Sequence, residues 1–256
     1  MTEPVKPVLI LQLRPEDAAS DSEYAAFLEK ARLRAEETVR LRLEATSLPE
    51  SFSLDDYSAV IVGGGPGCVS DDPATRDPAE ARAEAEILSL LPQIIEEDKP
   101  FMGCCAGIGI LAHYLGGDVS KTRYSEPVSA VEGTLTDAGK ADPLLAGLPE
   151  RFNIFVGHKE AVQDLPTGAV HLMSSEACPY QMIRTGKNVY ATQFHPEADG
   201  PVFAERIRIY SGHGYFKPEE ADLLTNQCLT TEVTQPEKIL RRFVELYVRS
   251  STYTSA

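Results

Sequence analysis

The chain opens on a short apolar run, residues 8–13, β-branched at one end, and a polar stretch leads from it into a helix-like segment at residues 23–35. Alternating Val39, Leu41 and Leu43 predict a second strand. A third, residues 59–62, runs directly into Gly63-Gly64-Gly65-Pro66-Gly67. Residues 82–97, rich in Ala, Glu, Leu and Ile, predict an amphipathic helix that Pro92 is expected to kink or end early. Lys99-Pro100 then leads into Phe101-Met102-Gly103, and the next helix is expected to open near Ala106.

Strands alternating with helices predict an α/β fold with a doubly wound, mainly parallel sheet, whose ligands bind outside the carboxyl ends of the strands. From Val128 onward the pattern changes to short β-like runs at residues 128–135, 154–156, 170–173, 181–184 and 189–194, read as additional strands of the same domain. Residues 236–248 carry Ile239, Leu240, Phe243, Leu246 and Tyr247 at helical spacing and are expected to pack back on the sheet. No repeat, low-complexity tract or linker divides the chain, so a single domain over residues 1–256 is expected, with a long C-terminal tail from about residue 200.

Charge narrows the partners. Lys and Arg total 24 against 39 Asp and Glu, a net charge of −15 that repels nucleic acid and anionic membranes. The five cysteines are odd in number and lack metal-type spacing, and the N-terminus lacks signal-peptide architecture, so a reducing cytoplasm is expected. No apolar run approaches the roughly 20 residues that cross a bilayer. Neither a metal nor a cofactor is expected.

Candidate chemistry begins at Gly103-Cys104-Cys105-Ala106-Gly107, a G-x-C-x-G turn between a buried strand and a helix. Such a bend pushes its central side chain out of the sheet, while the following helix aims its N-terminal N–H groups at it, and both effects favour a thiolate. Cys105 occupies the centre of the bend; strand alternation sends Cys104 to the opposite side, into the core. Free cysteines are more often small core residues than nucleophiles, so the turn alone does not decide the matter.

Gln193-Phe194-His195-Pro196-Glu197 places a histidine just past a strand end, with an acid two residues later across a rigid proline. This suits a triad in which Glu197 fixes the tautomer of His195 and the other ring nitrogen serves Cys105. His113, His171 and His213 read as structural or surface residues. His158, in Gly157-His158-Lys159-Glu160, also follows a strand and is either a competing base or a pocket-lining residue. The loop from Gly63 to Gly67 lacks nucleotide-binding spacing. Its glycines allow close approach to an oxyanion, and the backbone N–H groups of Gly65 and Ala106 are the candidate pair, with Gly64 beside them in the pocket.

In this order, the glycine loop, Pro100-Phe-Met-Gly-Cys-Cys105-Ala-Gly107 and Gln193-Phe-His195-Pro-Glu197 resemble the class I glutamine amidotransferases, in particular stand-alone members related to the amidotransferase domain of GMP synthase. Ser174-Ser175 and residues 179–184 resemble the segment preceding the family's last motif. The resemblance implies a flavodoxin-like three-layer sandwich in which Cys105 attacks the side-chain amide of glutamine, forms a γ-glutamyl thioester and releases ammonia. An ammonia-accepting synthetase is expected to be a separate chain if there is one. The family carries glutamine four residues after the nucleophile, where this chain has Gly109. That departure keeps open a γ-glutamyl peptidase or hydrolase acting on other γ-glutamyl amides. A non-catalytic binding protein is the remaining alternative.

Overall fold

The computed structural model describes residues 6–212 and 216–249. β1 (Val8–Gln12), β2 (Thr38–Arg42), β3 (Ala59–Val62), β4 (Phe101–Cys104) and β11 (Val189–Thr192) pair in parallel, in the spatial order β2-β1-β3-β4-β11. Beyond β11 the same sheet continues antiparallel through β10 (Met182–Thr185), β9 (Val170–Ser174), β6 (Glu126–Leu135) and β7 (Arg151–His158). β5 (Val119–Ser120) and β8 (Ala161–Val162) form a separate two-stranded sheet. The parallel half with helices on both faces is the expected flavodoxin-like sandwich, and the short runs after Val128 extend its sheet.

Side-chain alternation along β1 sorts the two layers. Val8 and Ile10 pack with α1 (Asp17–Ala31) and α7 (Pro236–Val244), while Leu9 and Leu11 face α2 (Pro78–Glu96) and α3 (Ala106–Tyr114). α4 (Asp137–Ala141) is a single turn beside β9. α5 (Gly200–Ile209) and α6 (Ala221–Thr230) close over Phe155 of β7 in a third apolar cluster, so the stretch after residue 200 is built into the fold.

Three helices differ from expectation. α1 runs from Asp17 to Ala31 and ends where Arg32 turns left-handed at φ 55°; its buried face includes Glu23 and Lys30, which hide the apolar period. α2 continues through Pro92, because the proline falls in the last turn, where one lost N–H bond is offset by burial of Leu91 and Ile94. The C-terminal helix ends at Val244 and widens into a π-type turn over Glu245–Arg249.

Register determines where the site lies. Val62 is level with Gly103, and Cys104 with Thr192, so β3, β4 and β11 end side by side. The glycine loop, the cysteine turn and the histidine segment therefore leave three neighbouring strands at one edge.

Candidate active site

Cys105 stands between β4 and the first turn of α3 with φ 54° and ψ −93°, a left-handed backbone that an L-residue adopts only under constraint. Its N–H donates to the Thr192 carbonyl at 2.8 Å, and its own carbonyl accepts from Ile108 at 3.2 Å. The glycine before it has a steric cause: a Cβ on Gly103 would lie 2.9 Å from the Gly107 carbonyl carbon. Cys104 is fully buried in the core, and burial followed by the carboxylates of Glu197 and Glu23 pushes its thiol well above the ordinary range. Cys105 lies at the rim of two cavities.

His195 is anchored through its N–H, which donates to the Phe155 carbonyl at 3.1 Å. Its Nδ1–H donates to Glu197 Oε1 at 2.9 Å, and Arg206 Nη1 donates to the same oxygen at 2.7 Å. The 3.2 Å between Arg206 Nη1 and His195 Nδ1 is the third side of this triangle, since both nitrogens donate to the shared oxygen. Cys105 lies beside the imidazole, close enough to raise its pKa, and both residues line the first cavity. Burial lowers the His195 pKa, but the charges of Glu197 and Cys105 outweigh it and hold the group at about 8. Burial would raise the carboxyl of Glu197, yet Arg206 and His195 keep it well below the usual carboxylate range.

Gly65 joins Cys105 in both cavities, Ala106 and Gly109 line the second, and His158 borders the second as well. The Gly64 N–H donates to Glu23 Oε1 at 3.1 Å, and a Cβ on Gly64 would lie 2.6 Å from Arg14 Nη2 and 2.9 Å from His195 Cε1. Gly64 is thus the spacer between the imidazole and a buried guanidinium. His158 is held differently from His195: its Nδ1 lies 2.9 Å from the Glu160 carbonyl oxygen and its Nε2 2.8 Å from Glu126 Oε2. His171 Nε2 bonds the Met173 carbonyl at 3.0 Å, His113 is exposed on α3, and His213 lies outside the described residues.

Four buried charged residues of the site gave no sequence signal. Arg206 is one of two arginines in α5, and the chain alone does not tell it from Arg208; Arg14 and Glu23 pair at 2.7 Å from a loop and a helix. Glu160 accepts from the N–H groups of Val69 and Ser70, at 3.0 Å each, and fills the space above Gly109, where a Cβ would lie 2.8 Å from its Oε1. Glu126, His158 and Cys178 bring ligand-type atoms within 4.8 Å of one another. Glu126 already accepts from His158, Ser175 and Gln181, and burial pushes the Cys178 thiol up to about 12, so the cluster is a hydrogen-bonded core rather than a ready metal centre.

Comparison with known proteins follows the same lines. The GMP synthase [glutamine-hydrolyzing] of Thermosipho africanus is 33% identical over 151 residues, 59% of this chain and 26% of that protein. That of Streptococcus pyogenes is 30% identical over 149 residues, 58% and 26%. The chain thus spans about a quarter of the length of these relatives. Among solved structures, a glutamine amidotransferase from Thermotoga maritima superposes with a TM-score of 0.66 at 21% identity, covering 93% of this chain and 98% of that one. One from Methylobacillus flagellatus gives 0.69 at 20%, covering 95% and 96%. At such identities the likeness is one of fold. The glutamine amidotransferase class-I family model matches residues 22–207, from within α1 to within α5, and the chain belongs to that family.

Proposed function

We propose that this protein hydrolyses the side-chain amide of glutamine through a thioester on Cys105. The observation that carries this reading is the convergence of Cys105 and His195 on one cavity, with the imidazole bonded through Nδ1 to Glu197. Sγ attacks the amide carbon; His195 takes the thiol proton and delivers it to the departing nitrogen; a water then cleaves the thioester with His195 again as base. Glu197, held by Arg206, keeps the ring in one tautomer. The N–H groups of Gly65 and Ala106 receive the oxyanion. Lys159 and Glu160 in the wall beside Gly109 suit the α-carboxylate and α-ammonium of a γ-glutamyl group.

The wild-type protein is expected to release ammonia from glutamine and to be labelled once, at Cys105, by 6-diazo-5-oxonorleucine. Full glutaminase activity in Cys105→Ala would refute the reading. A second reading, hydrolysis of other γ-glutamyl amides by the same machinery, is favoured by Gly109, whose place next to Cys105 is taken by the Glu160 carboxylate. Comparing turnover of glutamine with γ-glutamyl peptides separates the two. We place the reaction in the cytoplasm, within one domain, with a separate synthetase as the recipient where ammonia is handed on. Among the described residues no helix is long and apolar enough to cross a membrane.

A further inference from the structure

Among the described residues two carboxylates are wholly shielded from solvent, and the triad uses only Glu197. The other, Glu23, projects from the buried face of α1. Burying a carboxylate is unfavourable unless both oxygens are paired, and in Glu23 both are. Oε1 accepts from Arg14 Nε at 2.7 Å and from the Gly64 N–H at 3.1 Å; Oε2 accepts from Gln12 Nε2 at 3.0 Å. Gln12 and Arg14 lie at and just past the end of β1, so their bonds join α1 to its own preceding strand. The Gly64 bond reaches further, to the loop after β3 that carries the candidate oxyanion donor Gly65.

That loop is laid against the same segment. A Cβ on Gly63 would fall onto Glu23 Oε2, and one on Gly65 would lie 2.7 Å from Leu13 Cβ, so a side chain at either position would lift the loop away. The Gly63 N–H still belongs to the strand pairing, donating to the Leu11 carbonyl at 2.9 Å. From residue 64 to residue 68, Gly64 is the one whose N–H has a partner among the described residues, and that partner is Glu23. Glycine backbones are conformationally free, whereas an oxyanion donor is effective only when it is held in place before charge develops. Gly65 borders both cavities beside Cys105, one residue beyond the bond to Glu23.

We propose that Glu23 is a positioning residue for the chemistry at Cys105: its buried carboxylate fastens the glycine loop through the Gly64 N–H and so keeps the Gly65 N–H aimed at the oxyanion. Glu23 lines neither cavity, and no bond to it changes in the reaction. It acts by reach rather than by charge, because Arg14 already neutralises it. The oxygen that holds Gly64 also holds Arg14, whose Nη2 packs against Gly64, so the loop is confined by a carboxylate and a guanidinium that fix each other. This inference rests on the assignment of Cys105 as nucleophile and of Gly65 as an oxyanion donor.

The test compares two rates at Cys105 in Glu23→Asp and Glu23→Gln. Amide hydrolysis passes through an oxyanion. Alkylation by iodoacetamide, a displacement of iodide at a saturated carbon, does not, and reports the thiol and its base alone. Aspartate keeps the charge but is one methylene too short for Gly64; glutamine keeps the reach and offers an oxygen to both Arg14 and Gly64. In Glu23→Asp, kcat for glutamine, or for a γ-glutamyl peptide where the wild type prefers one, is expected to fall about 10²-fold per alkylatable Cys105. KM should stay near the wild-type value, because the oxyanion exists only in the transition state, and the alkylation rate should not change. Glu23→Gln should stay within a few-fold of the wild type. Retained kcat in Glu23→Asp, a greater loss in Glu23→Gln than in Glu23→Asp, or equal loss of hydrolysis and alkylation overturns the positioning role and leaves the amide-hydrolase reading standing. A wild type that hydrolyses neither glutamine nor γ-glutamyl peptides overturns both.

Discussion

The protein buries two histidine–glutamate pairs, each beside one of the two cavities that share Cys105, and the two rings are held differently. His195 and Glu197 are separated by 2.9 Å, His158 and Glu126 by 2.8 Å, and all four side chains are at most 5% exposed. The difference lies in the second ring nitrogen. In His195 it makes no hydrogen bond among the described residues, and Cys105 lies beside the ring; in His158 a backbone carbonyl occupies it at 2.9 Å. Burial beside an acid therefore does not make a histidine a base. The ring must also keep one nitrogen turned toward the reacting group.

The largest expected effect separates the two rings by what is lost. His195→Ala should lower kcat by about 10²- to 10⁴-fold with thermal stability near that of the wild type. Added imidazole should restore part of the rate, since the vacated site opens on the first cavity. His158→Ala leaves the buried Glu126 carboxylate without one of its hydrogen-bond partners, a loss of about 1–3 kcal/mol of stability. Imidazole rescue of His158→Ala, or its absence for His195→Ala, would break the comparison.

Glu197→Gln removes the charge that holds His195 up while keeping the shape of the side chain. For the wild type, kcat/KM should rise with pH and level off above about 8, the value at which the imidazole, titrating jointly with the thiol, loses its proton. In the variant that limb should move downward, and kcat should fall by roughly tenfold as the tautomer is no longer fixed. The stability sign is opposite to the rate sign. The folded value lies above the unfolded value near 6.5, so the pair's contribution is complete below about 6.5 and is lost as pH rises through about 8. Glu197→Gln should flatten that loss in a denaturation series measured against pH.

Much of this was legible because strands and turns write themselves into residue type. Ala59–Val62 and the runs after Val128 appear where their branched and aromatic residues place them, and the G-x-C-x-G and Q-F-H-P-E segments follow strand ends as their composition requires. Arg14, Glu23, Glu160 and Arg206 were not legible. Each is a charged residue without period or motif that enters the site only through tertiary packing: Arg14 and Glu23 beside β1, Arg206 through the fold-back of α5, and Glu160 from the turn between β7 and β8. The start of α1 was misplaced for a related reason: Glu23 and Lys30 sit on its buried face, where an apolar pattern has no entry for them. His158 and His195 look alike along the chain, since what occupies each second nitrogen is a matter of tertiary contact.

A smaller effect sharpens the same contrast. Gly64→Ala would put a methyl 2.6 Å from Arg14 Nη2 and 2.9 Å from His195 Cε1, closer than real side chains approach. Arg14 is tied to Glu23 and Tyr210, so the imidazole is the group that yields, and a rotation away from Cys105 should lower kcat by a few-fold to about 10²-fold. Thioester formation, followed by the burst of ammonia in a single turnover, should slow in proportion. An unchanged burst rate would show that the loop moves instead, and that Gly64 is not what fixes the imidazole.

The smallest effect is expected from Glu126→Gln, and it is the most direct check that the two pairs are independent. Glu126 accepts from His158, Ser175 and Gln181, whereas an amide in its place offers one oxygen and turns an N–H₂ toward groups that donate. Reorienting the Ser175 hydroxyl relieves one of these conflicts, so the loss should be about 1–3 kcal/mol of stability, read from the denaturation midpoint. The pH–rate limb should stay at about 8, because the groups that set it are Glu197 and Cys105. A limb that moved with residue 126 would mean that the charge of the second pair reaches His195 across Cys105. The distinction between a catalytic and a structural histidine in this site would then be one of degree.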